Sequence, residues 1–157
     1  MTNAANITLT GGSSRTVNQS GVTNGLRNFA TNGSGASFTI NSGANFKTVS
    51  NFTNNGTLTV GSSNSKFTVN GNLTNFNSTT NTLTGGTYNL TGTLQFNGAN
   101  IATNAANITL TGTSSQILNQ SSVNGLANFA TNAAGEAFTV AGGRAFAAAG
   151  RSPIRAA

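Results

Sequence analysis

Residues Thr2–Val22 read TNAANITLTGGSSRTVNQSGV, and residues Thr103–Val123 read TNAANITLTGTSSQILNQSSV. The two stretches agree at 16 of 21 positions at an offset of 101. After the loss of one residue the match continues, with Asn24–Ile40 and Asn124–Val140 identical at 11 of 17. The chain therefore holds one full unit, residues 2–102, and part of a second, residues 103–143. Self-similarity over such a distance is the mark of stacked architectures, in which each unit buries its apolar face on the next.

Inside the unit runs a shorter rhythm. Ile7-Thr8-Leu9, Phe38-Thr39-Ile40, Leu58-Thr59-Val60, Phe67-Thr68-Val69, Leu94-Gln95-Phe96, Ile108-Thr109-Leu110 and Phe138-Thr139-Val140 alternate apolar and polar residues with a period of two. This is the pattern of short strands buried on one face, and β-branched Thr suits the wet face of a pleated sheet. Three triplets make a turn of about twenty residues, so five turns would fill the 101-residue unit. The expected fold is all-β: a single-stranded parallel β-helix, or β-solenoid, of about 20 residues per coil and roughly seven or eight coils. Asn-Gly at 24-25, 32-33, 55-56, 70-71, 97-98 and 124-125 would predict antiparallel hairpins in an ordinary chain. At this repeat length the pairs are read as coil corners, supplied by residues that tolerate positive φ.

Composition narrows function. Of 157 residues, 26 are Thr, 26 Asn, 20 Gly and 16 Ser, against one acidic residue, Glu136, and no His or Cys. Paired-carboxylate hydrolysis, His-based triads and Cys/His zinc sites cannot be assembled from such a set. The expectation is a protein that is not an enzyme and binds no cofactor or metal. A net charge of +6 suggests nucleic acid, but Arg144, Arg151 and Arg155 lie near the C-terminus and Arg15, Arg27, Lys47 and Lys66 are scattered. With no basic run or stripe, nucleic-acid binding is not expected. No apolar run is long enough for a membrane helix. Between the two copies Arg15 aligns with Gln116, Arg27 with Ala127 and Ala36 with Glu136, so charge varies freely on the surface while core positions stay apolar.

Asn51–Phe76 (NFTNNGTLTVGSSNSKFTVNGNLTNF) and Thr82–Ile101 (TLTGGTYNLTGTLQFNGANI) resemble the filamentous-haemagglutinin-like and autotransporter-type repeats of large bacterial surface proteins. The resemblance covers nearly all of residues 2–143. It implies a right-handed coil, export to the cell surface, and a role as an adhesin stalk or passenger, and it carries over no catalytic residue. Met1 leads directly into repeat sequence without a secretory signal, so an exported parent would hold this chain as an internal fragment.

Residues 144–157 depart from the pattern. Phe146 still aligns with Phe46, but the expected continuation NFKTVSNFTNNG is replaced by AFAAAGRSPIRAA. Arg-Ser-Pro-Ile-Arg-Ala, read one base out of step, can encode a repeat-like Phe-Thr-Asn-Ser-Gly. The tail is therefore expected to be frameshifted or disordered, with Pro153 and the terminal arginines in neither core nor site.

Three functions follow in order. The first is a structural or adhesive rod displaying Thr, Asn and Ser ladders to a host or environmental surface carbohydrate or protein, where repeated weak contacts gain from multivalency. The second is ice binding through Thr-x-Thr rows, with Thr8/Thr10, Thr57/Thr59, Thr82/Thr84 and Thr109/Thr111 as candidate residues. Pairs starting at Thr8, Thr57, Thr82 and Thr109 are too widely spaced for every coil to carry one, which counts against a continuous row. The third, a degenerate carbohydrate-active β-helix, would need acidic clusters in place of the lone Glu136. Uncapped terminal coils should also associate end to end.

Overall fold

The computed structural model describes residues 1–14, 16–17 and 24–149, together with the backbone of 154–155. Arg15, Arg151 and Pro153 lie outside the described residues. All regular structure described is β: β1 (Thr2–Asn3), β2 (Asn6–Thr10), β3 (Thr31–Asn32), β4 (Ser37–Asn41), β5 (Asn45–Lys47), β6 (Thr53–Asn54), β7 (Thr57–Val60), β8 (Lys66–Thr68), β9 (Phe76–Asn77), β10 (Thr82–Leu90), β11 (Thr93–Gln95), β12 (Thr103–Thr111), β13 (Gln116–Leu118), β14 (Thr131–Asn132), β15 (Phe138–Ala141), β16 (Ala145–Phe146) and β17 (Ile154–Arg155). The strands stack level on level in parallel register, as a solenoid requires. The main sheet runs β2-β4-β7-β10-β12-β15, flanked by a sheet ordered β1-β3-β6 and another ordered β5-β8-β11-β13.

Register fixes the levels. Ile7, Phe38, Leu58, Tyr88, Ile108 and Phe138 are successive partners across the main sheet, and so are Leu9, Ile40, Val60, Leu90, Leu110 and Val140. The numbers along the first row climb by alternately longer and shorter steps, where even coils would climb uniformly. Four steps, not five, therefore separate Ile7 from its duplicate Ile108. Six levels of this sheet lie among the described residues, where uniform coils would give seven or eight.

The inward residues are the alternating apolar ones. Phe38, Ile40, Leu58, Val60, Phe67, Leu90, Leu94, Phe96, Ile108 and Leu110 are all essentially inaccessible. Phe29, Phe38, Phe46, Phe52 and Phe67 form one connected group with ring centroids 4.7 to 5.9 Å apart, in the tilted, edge-on and offset geometries that aromatic quadrupoles favour. The second copy repeats it with Phe129, Phe138 and Phe146.

Tyr88 is the one polar member of the row that begins at Ile7. Its hydroxyl is buried without a hydrogen-bond partner. The nearby Asn54 side chain is committed instead to Thr87 O (3.1 Å) and to the Asn32 Nδ2 donor (2.9 Å). Desolvation drives the phenol well above its ordinary pKa of 10.0. The fold thus favours the protonated form, so this contribution is complete below pH 10.0 and declines as pH rises toward the folded value. Tyr88→Phe removes an unsatisfied buried group and should raise stability by about 1 kcal/mol, with the difference widening in alkali. Denaturation curves of the two proteins at neutral and alkaline pH check this; a variant less stable than wild type would refute it.

Asparagine is used differently from expectation. Asn3, Asn32, Asn54 and Asn104 sit inside the stack, at the turn into the main sheet, and not on exposed corners. Asn3 Nδ2 donates to Asn32 Oδ1 (2.9 Å), Asn32 Nδ2 to Asn54 Oδ1 (2.9 Å), and Asn104 Nδ2 to Asn132 Oδ1 (2.7 Å). Each second amide hydrogen satisfies a main-chain carbonyl where the backbone bends: Asn3 that of Ser37, Asn32 that of Thr57, Asn104 that of Ala137. Asn75 joins the column by accepting from Asn54 N (2.7 Å) and donating to Asn54 O (3.0 Å). The ladder pairs polar groups that would otherwise be left orphaned in a dry interior.

The Asn-Gly glycines also serve another purpose. Of the six pairs only Gly98 has positive φ. Elsewhere the missing side chain lets successive levels approach: a Cβ on Gly33 would stand 2.8 Å from Asn3 O, and one on Gly71 2.6 Å from Asn51 N.

Among the described residues before 144, three antiparallel departures interrupt the parallel stack: the bridges Val17↔Asn24 and Leu118↔Asn124, and the short hairpin of β9 on β10. Two Asn-Gly pairs, at 24-25 and 124-125, thus do close local antiparallel excursions. At the C-terminal end residues 144–149 continue the stack, with Phe146 against Phe129 and Phe138 and Ala149 N bonded to Phe129 O (2.9 Å). Beyond them β17 pairs antiparallel with β16.

Candidate functional site

The side chains opposite the core on the main sheet form columns. Thr8, Thr39, Thr59, Asn89, Thr109 and Thr139 are successive register partners. Their spacing is that of adjacent strands, about 4.8 Å. Beside them run Asn6, Ser37, Thr57, Thr87 and Asn107 in a second column, while Thr10 pairs with Asn41 and Thr111 with Ala141 at the far edge. Neighbouring columns are two residues apart along the strand, about 6.6 Å.

Alternation produces this face directly. With Phe38 and Ile40 or Leu58 and Val60 turned inward, the residue between must turn outward. Those between are Thr at five of six levels. Among the described residues, the hydroxyls of Thr8, Thr39, Thr59, Thr109 and Thr139 make no hydrogen bond within the protein, which leaves their donors and acceptors for water or a ligand. No charged side chain stands in these columns. Lys47 and Lys66 belong to β5 and β8 of the neighbouring sheet, and Arg144 turns to Thr113 O (3.1 Å).

The candidate threonines divide. Thr8, Thr59 and Thr109 share the central column; Thr57 stands in the adjacent one, and Thr10 and Thr111 lie at its other side. Each interval, from Thr8 to Thr59 and from Thr59 to Thr109, is the sum of one short and one long level, and the levels between are occupied by Thr39 and by Asn89. The Thr-x-Thr pair is absent from the levels of Thr39, Asn89 and Thr139, as the spacing implied; what continues between the pairs is a single column, with Thr at every level but that of Asn89. Thr82 and Thr84 stand apart, before the bulge at Gly85-Gly86, with Thr84 Oγ1 bonded to Asn75 O (2.9 Å). Thr82 belongs instead to a row with Thr103 and Thr131, equivalent to Thr2, Thr31 and Thr53.

No known family model matches the chain, and neither a curated protein nor a solved structure is significantly similar to it.

Two further features are concave. A polar groove of about 340 Å³ runs beside the β9–β10 hairpin, lined by Asn51, Asn72, Thr74, Phe76, Ser78 and Asn97 among others. An apolar one of about 390 Å³ lies at the C-terminal end. Glu136 sits in the loop before β15, where its carbonyl accepts from Asn132 Nδ2 (2.6 Å). No helix is long and apolar enough to cross a membrane among the described residues.

Proposed function

We propose that the chain is a structural and adhesive module of an exported bacterial surface protein. On this reading it is a solenoid of right-handed sense, which right-twisted strands favour in parallel crossovers. The observation that carries the reading is the uncharged central column, in which Thr recurs at Thr8, Thr39, Thr59, Thr109 and Thr139 with unengaged hydroxyls. Such a column offers a repeated neutral donor and acceptor set, suited to a neutral polyhydroxylated surface such as carbohydrate. Each contact is weak, and the array acts through effective concentration. The role is not catalytic: with Glu136 as the sole acid, no second carboxylate is available for glycoside chemistry.

Replacing Thr39, Thr59 and Thr109 together by Lys tests this. Adhesion of protein-coated beads to a neutral polysaccharide surface should fall at least tenfold, which is about 1.4 kcal/mol over the array. The same number of Lys substitutions on the neighbouring sheet, at Asn45, Thr68 and Gln116, should leave it little changed. Equal adhesion in all three proteins would reduce the module to a spacer.

Ice binding is the second reading, favoured by the in-register Thr column. Thermal hysteresis of the wild-type protein, abolished by the triple Lys substitution, would replace the adhesive role with this one.

A further inference from the structure

The two ends of the stack are unlike in chemistry and fit each other. Level Thr131–Asn132 and Phe138–Ala141 duplicates level Thr31–Asn32 and Ser37–Asn41, but the first copy is covered by β6 and β7 and the second, among the described residues, by nothing comparable. Asn32, Phe38 and Ile40 are fully buried, whereas Asn132 is exposed and Phe138 and Val140 are half-buried along the apolar groove. At the opposite end Asn6, Thr8 and Thr10 are exposed on β2, and Ile7 is half-buried.

Hydrogen-bond direction sets polarity. In the three side-chain pairs of the buried ladder, Asn3–Asn32, Asn32–Asn54 and Asn104–Asn132, the N-terminal member donates and the C-terminal member accepts. The final amide, Asn132 Nδ2, has no Asn to reach and turns back to Glu136 O. The first, Asn3, takes Ala5 N onto its Oδ1 (3.0 Å) and among the described residues no second donor, which leaves a lone pair for one. The main chain is complementary too. Ala5 O and Asn41 O accept from Ser37 N and Gly11 N, so by alternation Asn6, Thr8 and Thr10 aim their peptide groups at the open side. Ala137 O and Ala141 O accept from Ile108 N and Gly112 N, so Phe138 and Val140 do likewise at the other end.

We propose that a second copy of this chain docks its β1–β2 edge on the β14–β15 edge, head to tail. Asn132 then donates to Asn3 of the next copy, Phe138 and Val140 stack on Ile7 and Leu9, and the strands remain parallel. Head-to-head contact would oppose like edges, with two acceptor ends or two donor ends of the ladder facing each other. Because the contact is heterologous and each copy retains one free edge of each kind, growth is open-ended. Among the described residues β17 pairs with β16 and not with β14 or β15.

Sedimentation velocity of the whole chain tests this across a wide concentration range. Wild type should show progressively longer species without saturation at two copies. Thr8→Pro deletes a main-chain donor on the open side of β2, at an exposed side chain where proline is tolerated on edge strands. It should weaken association about tenfold while the circular dichroism spectrum and melting curve stay those of wild type. Asn132→Asp, at the other edge, keeps the acceptor for Asn104 and removes the donor, and should weaken association to a similar degree. A concentration-independent monomer would overturn the proposal and leave the edges to further coils of the same chain. A closed dimer, or wild-type association by both variants, would overturn it as well.

Discussion

Asn32→Asp should unfold the N-terminal half of the rod near neutral pH and allow it to refold on acidification. Asn32 has no solvent exposure, accepts from Asn3 Nδ2, and donates to Asn54 Oδ1 and Thr57 O. An isosteric carboxylate keeps the acceptor and loses both donors, so it faces two other oxygens in a dry site. Each orphaned buried acceptor costs about 1 to 3 kcal/mol. An uncompensated buried charge adds roughly 3 to 5 kcal/mol. Together these approach the whole stability of an ordinary domain, about 5 to 15 kcal/mol. Burial raises the carboxyl's pKa above its unfolded value. The variant is therefore least impaired below about pH 4 and loses stability as pH rises through the folded pKa. Melting curves at acid and neutral pH measure the effect. The exposed duplicate Asn132→Asp serves as control, since it should melt close to wild type at both. A neutral-pH melt of Asn32→Asp indistinguishable from wild type would mean that the ladder carries little of the stability.

The second large effect is expected at Gly86. Its φ of +73 lies in the left-handed region, and a Cβ there would collide with Asn54 O and stand 2.7 Å from Asn54 Nδ2. Gly85, with φ +62, precedes it, and together they form the bulge that shifts the β10–β12 register between Thr84 and Thr87. Gly86→Ala meets two separable costs. The backbone term is about 1 kcal/mol. The steric term moves a main-chain carbonyl and an amide that belongs to the ladder, and should bring the total to about 3 kcal/mol or more. Gly98→Ala isolates the first term, because φ there is +67 but the surrounding space is open. Chemical denaturation should separate the two variants by about 2 kcal/mol, the size of the overpacking cost alone. Equal losses would remove close approach from the explanation.

The strands and their inward faces were legible from period-two alternation alone, because one buried face imposes that pattern on any sheet. The levels were not. Apolar triplets occur on two walls of the coil, so their spacing mixes steps within a level with steps between levels. The marker that separates them is polar: a Thr-Asn step stands at 2-3, 31-32, 53-54, 74-75, 103-104 and 131-132 on the way into each level, though Thr-Asn at 23-24 and 80-81 shows that the dipeptide alone does not identify one. Taking Asn as a residue of exposed turns concealed this, since a buried amide is favourable only when the levels above and below satisfy it. The single Thr column was hidden in the same way, because Thr8, Thr39, Thr59, Thr109 and Thr139 align only once short and long levels are allowed to alternate. The self-partnered edges were legible only as a general liability, and their donor-to-acceptor direction required the ladder geometry.

The alternation of short and long levels has a consequence for how such a molecule can change. Among the described residues the extra chain of the long levels lies off the stacked strands of the main sheet, in the excursion at Leu118↔Asn124 and the β9–β10 hairpin. Lengthening such a detour costs little, because doubling a flexible loop adds only about 0.6 kcal/mol of closure entropy. Insertions and deletions there can alter one flank while the vertical pitch of the opposite wall stays constant, so decoration and periodicity are free to vary independently.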